Sequence, residues 1–347
     1  MSIEELHASA IEFIISHVPE WASATLENTT LIRLTGNSNK VYLVQTTLNV
    51  TPSKLIYRVF GPDHTTIKSR ERKIFNALSV LGHAPKTYGD SEIERLEDFL
   101  EGFEHVPRTM FYDPLILELV AKKLRELHSI DITHALEGEP VMVEENPRRW
   151  REYNLSRLAE NPNFIHVEEA RREIEELLSP PLWDMYLDIL PRNSPVVFSH
   201  LDPNPLNFLY NPDLQEVYFI DFEFSGYGYR GIDIAQVLDG VPYDFLHKEY
   251  PFWKYYEELT VSDDIIEKYV RAYGEGAEMW VEVKRCLIAS QYIWATWGLA
   301  SYKGPSSGYD YLEYSLQRFR RFKAEYTAFK EVGAEEWLER GRKRFSE

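Results

Sequence analysis

A single cysteine, Cys286, stands in a chain of 347 residues. That excludes an internal disulfide framework and a thiolate metal centre, and it points to a reducing compartment. Positive charge is also short: 38 Lys and Arg face 56 Asp and Glu, for a net charge of −18. A surface of that sign is a poor footprint for nucleic acid or an anionic membrane, and it favours cationic ligands. Long apolar runs are missing. The longest uncharged stretch, Cys286 to Tyr302, contains Ser290, Gln291 and Thr296 and falls short of the roughly 20 apolar residues a bilayer needs; it reads as a buried core helix. Glu4, Glu5 and Glu12 give the first residues the wrong charge for a signal or transit peptide. Ile3, Leu6, Ala10, Ile11, Ile14 and Val18 recur there at helical spacing, which predicts an amphipathic surface helix. The expectation is a cytoplasmic protein with neither nucleic-acid partners nor stable membrane insertion. The chain has no Walker A lysine motif, no H-E-x-x-H, no zinc-ligand spacing among its ten histidines and no fixed-period repeat.

What is present is an ordinary globular composition, 44% hydrophobic and 27% charged. The length accommodates about two domains. The pattern changes near residue 100. Thr30 to Leu34, Val41 to Thr46 and Lys54 to Phe60 read as strands, with the tight turn Thr35-Gly36-Asn37-Ser38-Asn39 between the first two. Thr65 to Leu81 has helical periodicity, and Ile93 to Leu100 reads as a further strand. Beyond that, helices are expected over 114–128, 147–160, 167–189, 263–273, 277–303 and 308–331. Three short apolar β-like runs interrupt them, at 196–198, 207–210 and 217–220. The expected organisation is a small sheet lobe (1–100) and a larger helical lobe (101–347), with a cleft between them.

The densest chemical signal is Ser199-His200-Leu201-Asp202-Pro203-Asn204-Pro205-Leu206-Asn207, followed by Tyr218-Phe219-Ile220-Asp221-Phe222-Glu223. Asp202 and Asn207 are five apart, and Asp221 lies nineteen beyond Asp202 at the end of an apolar strand. Phosphoryl transfer needs this set. One Asp orients the attacking hydroxyl and accepts its proton, while the Asn and a second Asp offer hard oxygens to Mg²⁺. Asp and Asn between prolines are also common turn residues. The order of the parts favours chemistry: a Gly-Asn-Ser-Asn turn able to cover phosphates, Arg58 on the third strand as phosphate-pairing cation, Glu71 on the next helix as its partner carboxylate, then the loop and the strand end. Gly226-Tyr227-Gly228-Tyr229-Arg230-Gly231 matches a dinucleotide fingerprint literally. It follows Asp221 rather than opening a βαβ unit, so that reading is set aside.

The chain resembles choline/ethanolamine kinases, within the wider group of aminoglycoside-phosphotransferase-like kinases. The resemblance is carried by Leu34-Thr35-Gly36-Asn37-Ser38-Asn39-Lys40, Leu55-Ile56-Tyr57-Arg58-Val59-Phe60-Gly61, Ala84-Pro85-Lys86-Thr87-Tyr88-Gly89 and Arg95-Leu96-Glu97-Asp98-Phe99-Leu100. The most specific block is Ile220 to Ala235; Trp297-Gly298-Leu299 and Tyr311-Leu312-Glu313-Tyr314 close the match. It covers roughly residues 25 to 325 and implies an α+β, bilobal, protein-kinase-like fold with ATP between the lobes. ATP-binding residues would be Asn37, Ser38, Asn39, Arg58, Glu71, Glu97 and Phe99, with Glu71 bracing Arg58 and the adenine near Glu97 to Leu100. Asp202 would be the base, and Asn207 and Asp221 the Mg²⁺ ligands. The sequence departs from the family pattern at Leu201 and Ala300, where Asn and Trp are usual, and its turn has one glycine where relatives often show two.

The implied acceptor is a small amino alcohol. Choline is expected to give phosphocholine, the first step of the CDP-choline route to phosphatidylcholine in phospholipid biosynthesis. Ethanolamine is the alternative, followed by an aminoglycoside-type acceptor. A trimethylammonium group binds aromatic faces, at about 0.5 to 2 kcal/mol per ring; a primary ammonium wants three hydrogen-bond acceptors. Acceptor-binding candidates are Asp202, Asn204, Phe224, Tyr227, Asp239, Phe245, Trp297 and Tyr314. Aromatic residues at helical spacing also serve as core. A homodimer is left open.

Overall fold

The computed structural model describes residues 2–34, 39–61, 66–161, 163–165, 167–304 and 308–346. Alternation and β-branching between residues 29 and 59 produce three antiparallel strands, β1 (Thr29–Arg33), β2 (Lys40–Thr46) and β3 (Lys54–Val59). With β4 (Thr87–Asp90) and β5 (Glu94–Asp98) they form a five-stranded sheet in the order β1-β2-β3-β5-β4. Two helices join this sheet. The first, α1 (Ile3–His17), starts at a capping box between Ser2 and Glu5. Its Leu6, Ala10, Ile11 and Ile14 enter one core with Trp21, Val44, Leu55, Tyr57 and Leu96. At about 1.5–3 kcal/mol for each large buried side chain, this cluster holds the helix on the sheet. The second, α2 (Lys68–Val80), turns Ile74, Phe75 and Leu78 inward.

The helices that follow are α3 (Pro114–His128), α4 (Met142–Glu160), α5 (Glu168–Leu177), α6 (Pro180–Ile189), α7 (Gly231–Gly240), α8 (Asp263–Tyr273), α9 (Ala277–Ser301), α10 (Tyr311–Val332) and α11 (Ala334–Phe345). Short strands lie among them. β7 (Val196–Ser199) pairs antiparallel with β10 (Gly226–Tyr229). β8 (Phe208–Asn211) lies between β6 (Glu104–His105) and β9 (Glu216–Phe219), and β11 (Tyr243–Asp244) pairs with β12 (Lys254–Tyr255). The long helix α9 is the centre of this region, packed by α4, α7, α10 and α11. No helix of the described residues is long and apolar enough to cross a membrane.

The chain divides into two compact units. One is Met1–Phe103 with Asn211–Asp213 and Phe219–Glu223; the other is Glu104–Tyr210, Leu214–Tyr218 and Phe224–Glu347. Asp221 therefore belongs to the amino-terminal unit, and Asp202 and Asn207 to the carboxy-terminal one.

Several elements differ from expectation for local reasons. The helix expected over 167–189 is two, because Pro180 and Pro181 lack N–H groups and open a new first turn. Conversely, α4 starts at Met142 and runs through Pro147. The proline leaves the Val143 carbonyl without its helical donor, and the buried Tyr186 hydroxyl donates to that oxygen instead. α7 is buried at every position, so it carries no amphipathic period for a sequence reading to detect.

Candidate active site

In the carboxy-terminal unit, β7 ends at Ser199 and the chain turns sharply: Leu201 has φ 63°, in the left-handed region. Asp233, in the first turn of α7 and 0% exposed, pins this turn. Its Oδ2 accepts from the His200 amide at 2.7 Å and its Oδ1 from the Leu201 amide at 2.9 Å. His128 Nε2 hydrogen-bonds the same Asp233 Oδ2 at 3.1 Å, and His128 Nδ1 the Tyr273 hydroxyl at 2.8 Å. Asp202 follows directly. Asn204 Nδ2 donates to its Oδ1 at 2.9 Å, and Asn207 Nδ2 donates to its Oδ2 at 3.2 Å and to its carbonyl oxygen at 2.8 Å. Both carboxylate oxygens thus have an amide donor, which fixes the side chain. Asn204 is itself held, its Oδ1 accepting from the Leu206 amide at 2.9 Å; it serves Asp202 rather than standing free for an acceptor. Because the Asn207 NH₂ is committed to Asp202, its carbonyl oxygen is the end suited to a hard cation.

In the amino-terminal unit, Arg58 of β3 is buried beside two strand neighbours and one helix residue. Arg58 Nε donates to Glu97 Oε1 at 2.9 Å, and Arg58 Nη1 lies 3.7 Å from Asp221 Oδ2. Asp221 has φ 66°, and its neighbour Phe222 meets Phe75 edge-on with ring centroids 6.3 Å apart. The expected brace from Glu71 to Arg58 is corrected here. Glu71 instead takes a two-pronged bond from Arg95, at 3.1 and 2.9 Å. Arg95 lies on β5, opposite Arg58 in the β3–β5 register, so it reaches the α2 carboxylate in its place. The Glu97 carboxylate, 4% exposed, is shared by Arg58 and Arg95 and so is held inside the fold. Burial opposes its charge, but the attraction of Arg58 and Arg95 outweighs that and holds the carboxyl below the usual range. Burial likewise works against the Arg58 guanidinium, and Glu97, Asp221 and Glu71 raise its pKa above the ordinary value. Phe99 is half-buried, with the Lys54 ammonium 5.1 Å from its ring centre. Asn39 accepts from the Gly61 amide at 3.3 Å. Asn37 and Ser38 lie outside the described residues.

Four of the five rings expected to meet the acceptor lie in one continuous cluster. Centroid steps run Phe224–Trp294 6.0 Å, Trp294–Trp297 5.6 Å, Trp297–Tyr314 6.2 Å, Tyr314–Tyr243 5.8 Å and Tyr243–Phe245 5.6 Å. Trp253, Tyr309 and Tyr311 also join it, none of them expected from sequence. Tyr227 is half-buried on β10, bridged to Val141. Asp239 departs from expectation. It is 3% exposed and bonded to Arg318 and to Gln291 Nε2 (2.6 Å), with Arg321 at 3.6 Å. Its charge is neutralised inside the fold and is not available to a ligand cation. Arg318 itself lies 3.7 Å over the Tyr243 ring, so the cluster already holds one internal cation.

Among the described residues, no group of three or more His, Cys, Asp or Glu could hold a metal ion.

The family model for choline/ethanolamine kinase matches residues 32–323. The chain belongs to the choline/ethanolamine kinase family. A probable ethanolamine kinase from Arabidopsis thaliana is 27% identical over 282 residues, covering 77% of this chain and 71% of the plant protein. Two solved structures share the fold of this kinase family member. The choline kinase from Cryptosporidium parvum superposes with a TM-score of 0.77 at 19% identity, over 94% of this chain and 97% of its own. The ethanolamine kinase from Plasmodium vivax gives 0.74 at 18% identity, over 93% and 91%. The fold is thus the α+β, protein-kinase-like one.

Residues that sequence reasoning missed act at long range. Asp233 is more than thirty positions from the amides it holds, and His128 is 105 from Asp233. Arg95 carried a usable signal, as an arginine at the inward-facing end of a strand two residues before Glu97.

Proposed function

We propose that this kinase transfers the γ-phosphoryl group of ATP to the hydroxyl of a small amino alcohol, with ethanolamine as preferred acceptor and choline second. One observation carries the phosphotransfer reading: the Asp202 carboxylate, fixed by two asparagine amides on a turn that Asp233 pins through two backbone bonds. A carboxylate so held can orient an alcohol by accepting its proton in a hydrogen bond. As the new oxygen–phosphorus bond forms and the bond from the γ-phosphorus to the bridging oxygen breaks, Asp202 takes that proton. Arg58 pairs with phosphate oxygens. Asn207 and Asp221 would each give an oxygen to Mg²⁺. When bound, the ion neutralises charge on the phosphates. The protein's contribution is positioning and charge placed in advance.

The acceptor preference rests on two supports. The Arabidopsis relative is named an ethanolamine kinase. Ala300 stands, buried, where a second tryptophan face would serve a trimethylammonium group. Ethanolamine thus stands before choline in this reading, the reverse of the order expected from the sequence. A coupled assay of ADP release with ethanolamine, choline, dimethylethanolamine and kanamycin in parallel tests both levels. The expected kcat/KM is highest for ethanolamine. A higher value for choline would reverse the preference, and stimulation by kanamycin alone would remove the amino-alcohol reading.

A further inference from the structure

The amino-terminal unit buries four charges in a line. Glu71 holds Arg95 with both oxygens; Arg95 Nε donates to Glu97 Oε1 at 2.9 Å; and the same Oε1 accepts from Arg58 Nε at 2.9 Å. All four residues are more than nine-tenths buried, Arg95 at 1% exposure. Phe75 closes the row, its ring centre 3.5 Å from the Arg95 guanidinium. Buried ion pairs are a poor route to stability, since apolar side chains of similar volume often do as well, and they survive best where they fix a geometry. Here the geometry fixed is that of Arg58. With Nε committed to Glu97, the two terminal nitrogens of the fork remain, and Nη1 lies 3.7 Å from Asp221 Oδ2.

Building on the ATP-dependent reading above, we propose that Glu97 is the positioning residue that aims the Arg58 guanidinium at the nucleotide phosphates, and that Arg95 and Glu71 act only by holding Glu97. The direct partner of the phosphate-pairing cation is then a strand carboxylate, not the helix carboxylate. The hydrogen-bonded chain from Glu71 reaches Arg58 only through two side chains, Arg95 and Glu97. The planar fork makes this arrangement specific to arginine: three donor nitrogens in one plane let one be anchored while the others remain directed.

The test uses the full-length chain and the variants Arg58→Ala, Glu97→Gln, Glu97→Asp, Glu71→Gln and the double variant Arg58→Ala/Glu97→Asp. Glu97→Asp retains the charge and protects folding but shortens the reach. It is expected to raise the KM for ATP by about tenfold or more while the acceptor KM moves less than about twofold, and to add less than about twofold once Arg58 is already alanine. Glu71→Gln is expected to give a smaller rise than Glu97→Asp. An Nε–Hε proton resonance assigned to Arg58 by its loss in Arg58→Ala should be protected from exchange in the wild type and in Glu71→Gln, and exposed in Glu97→Gln or Glu97→Asp. Independent, multiplying effects of Arg58→Ala and Glu97→Asp would overturn the proposal. So would Glu71→Gln matching Arg58→Ala while Glu97→Asp behaves as wild type. The resonance separates the two levels. If the wild type binds ADP but turns over no amino alcohol, and Arg58 protection still depends on Glu97, the amino-alcohol kinase reading fails and the positioning stands; a wild type that binds no ADP overturns both. Turnover with Arg58 protection indifferent to Glu97 has the opposite meaning.

Discussion

Asp202 combines a fixed direction, each carboxylate oxygen held by one asparagine amide, with lone pairs that can still accept from a hydroxyl. Asp202→Asn keeps the shape and removes the proton acceptor. The expected outcome is a loss of about 10²–10⁴ in kcat with ADP affinity unchanged, checked by single-turnover kinetics and calorimetry. Asp221 differs, being a hard oxygen beside Arg58 rather than a base. Asp221→Ala should weaken binding of Mg²⁺-ATP far more than binding of metal-free ATP, so its signature in calorimetry is a loss of the magnesium dependence. Leu201 shows how an unfavourable residue is tolerated at such a site. Its left-handed backbone suits Asn, the residue usual there in the family, and costs a leucine roughly 1–2 kcal/mol. Its side chain is buried against Gly228, where any Cβ would lie 2.8 Å from Leu201 Cδ2. Burial of a leucine, about 1.5–3 kcal/mol, offsets the backbone cost, and the glycine supplies the room.

At the scale of elements, the site depends on helices far away in sequence. Asp233 on α7 holds the loop after β7, and His128 on α3 orients Asp233. Asp233→Asn would set an amide NH₂ against a backbone N–H with no water to relieve it. A stability loss of about 2–4 kcal/mol is expected in denaturant melts, with a fall in kcat that exceeds any change in ATP KM. Helix α4 gives a second case. Tyr186→Phe removes only the hydroxyl that satisfies the Val143 carbonyl opposite Pro147, and should cost about 1–3 kcal/mol with no change in KM. The motif Gly226 to Gly231 is explained at this scale too. Gly226–Tyr229 is an antiparallel strand against β7, and Gly231 is small because the Glu282 carboxylate lies 2.7 Å from its amide.

For the molecule as a whole, the net charge of −18 makes the response to acid informative. The Glu97 carboxyl lies below its unfolded value of 4.5 in the folded chain. Near that pH the unfolded chain binds more protons, so stability rises with pH there. The contribution is complete above the unfolded pKa and is lost as pH falls through the folded one. A thermal melt series from about pH 6 down to about pH 3 should show a falling midpoint, with a shallower slope in Glu97→Gln. An unchanged slope would mean that the buried row carries no such linkage.

Reading along the chain was enough for whatever depends on neighbours. The strands at 29–59 and helix α3 follow from alternation, the proline at position 114 and amphipathic spacing. The Asp202, Asn207 and Asp221 pattern was visible because a loop and a strand end write their chemistry in order. Partner choice lay beyond that reading: Arg95 rather than Arg58 for Glu71, Arg318 rather than a ligand for Asp239, two backbone amides for Asp233. An ion pair or a buried carboxylate is selected by distance and desolvation among groups brought together from remote segments. Those quantities come into being when the chain packs and leave no period or spacing behind in its one-dimensional order.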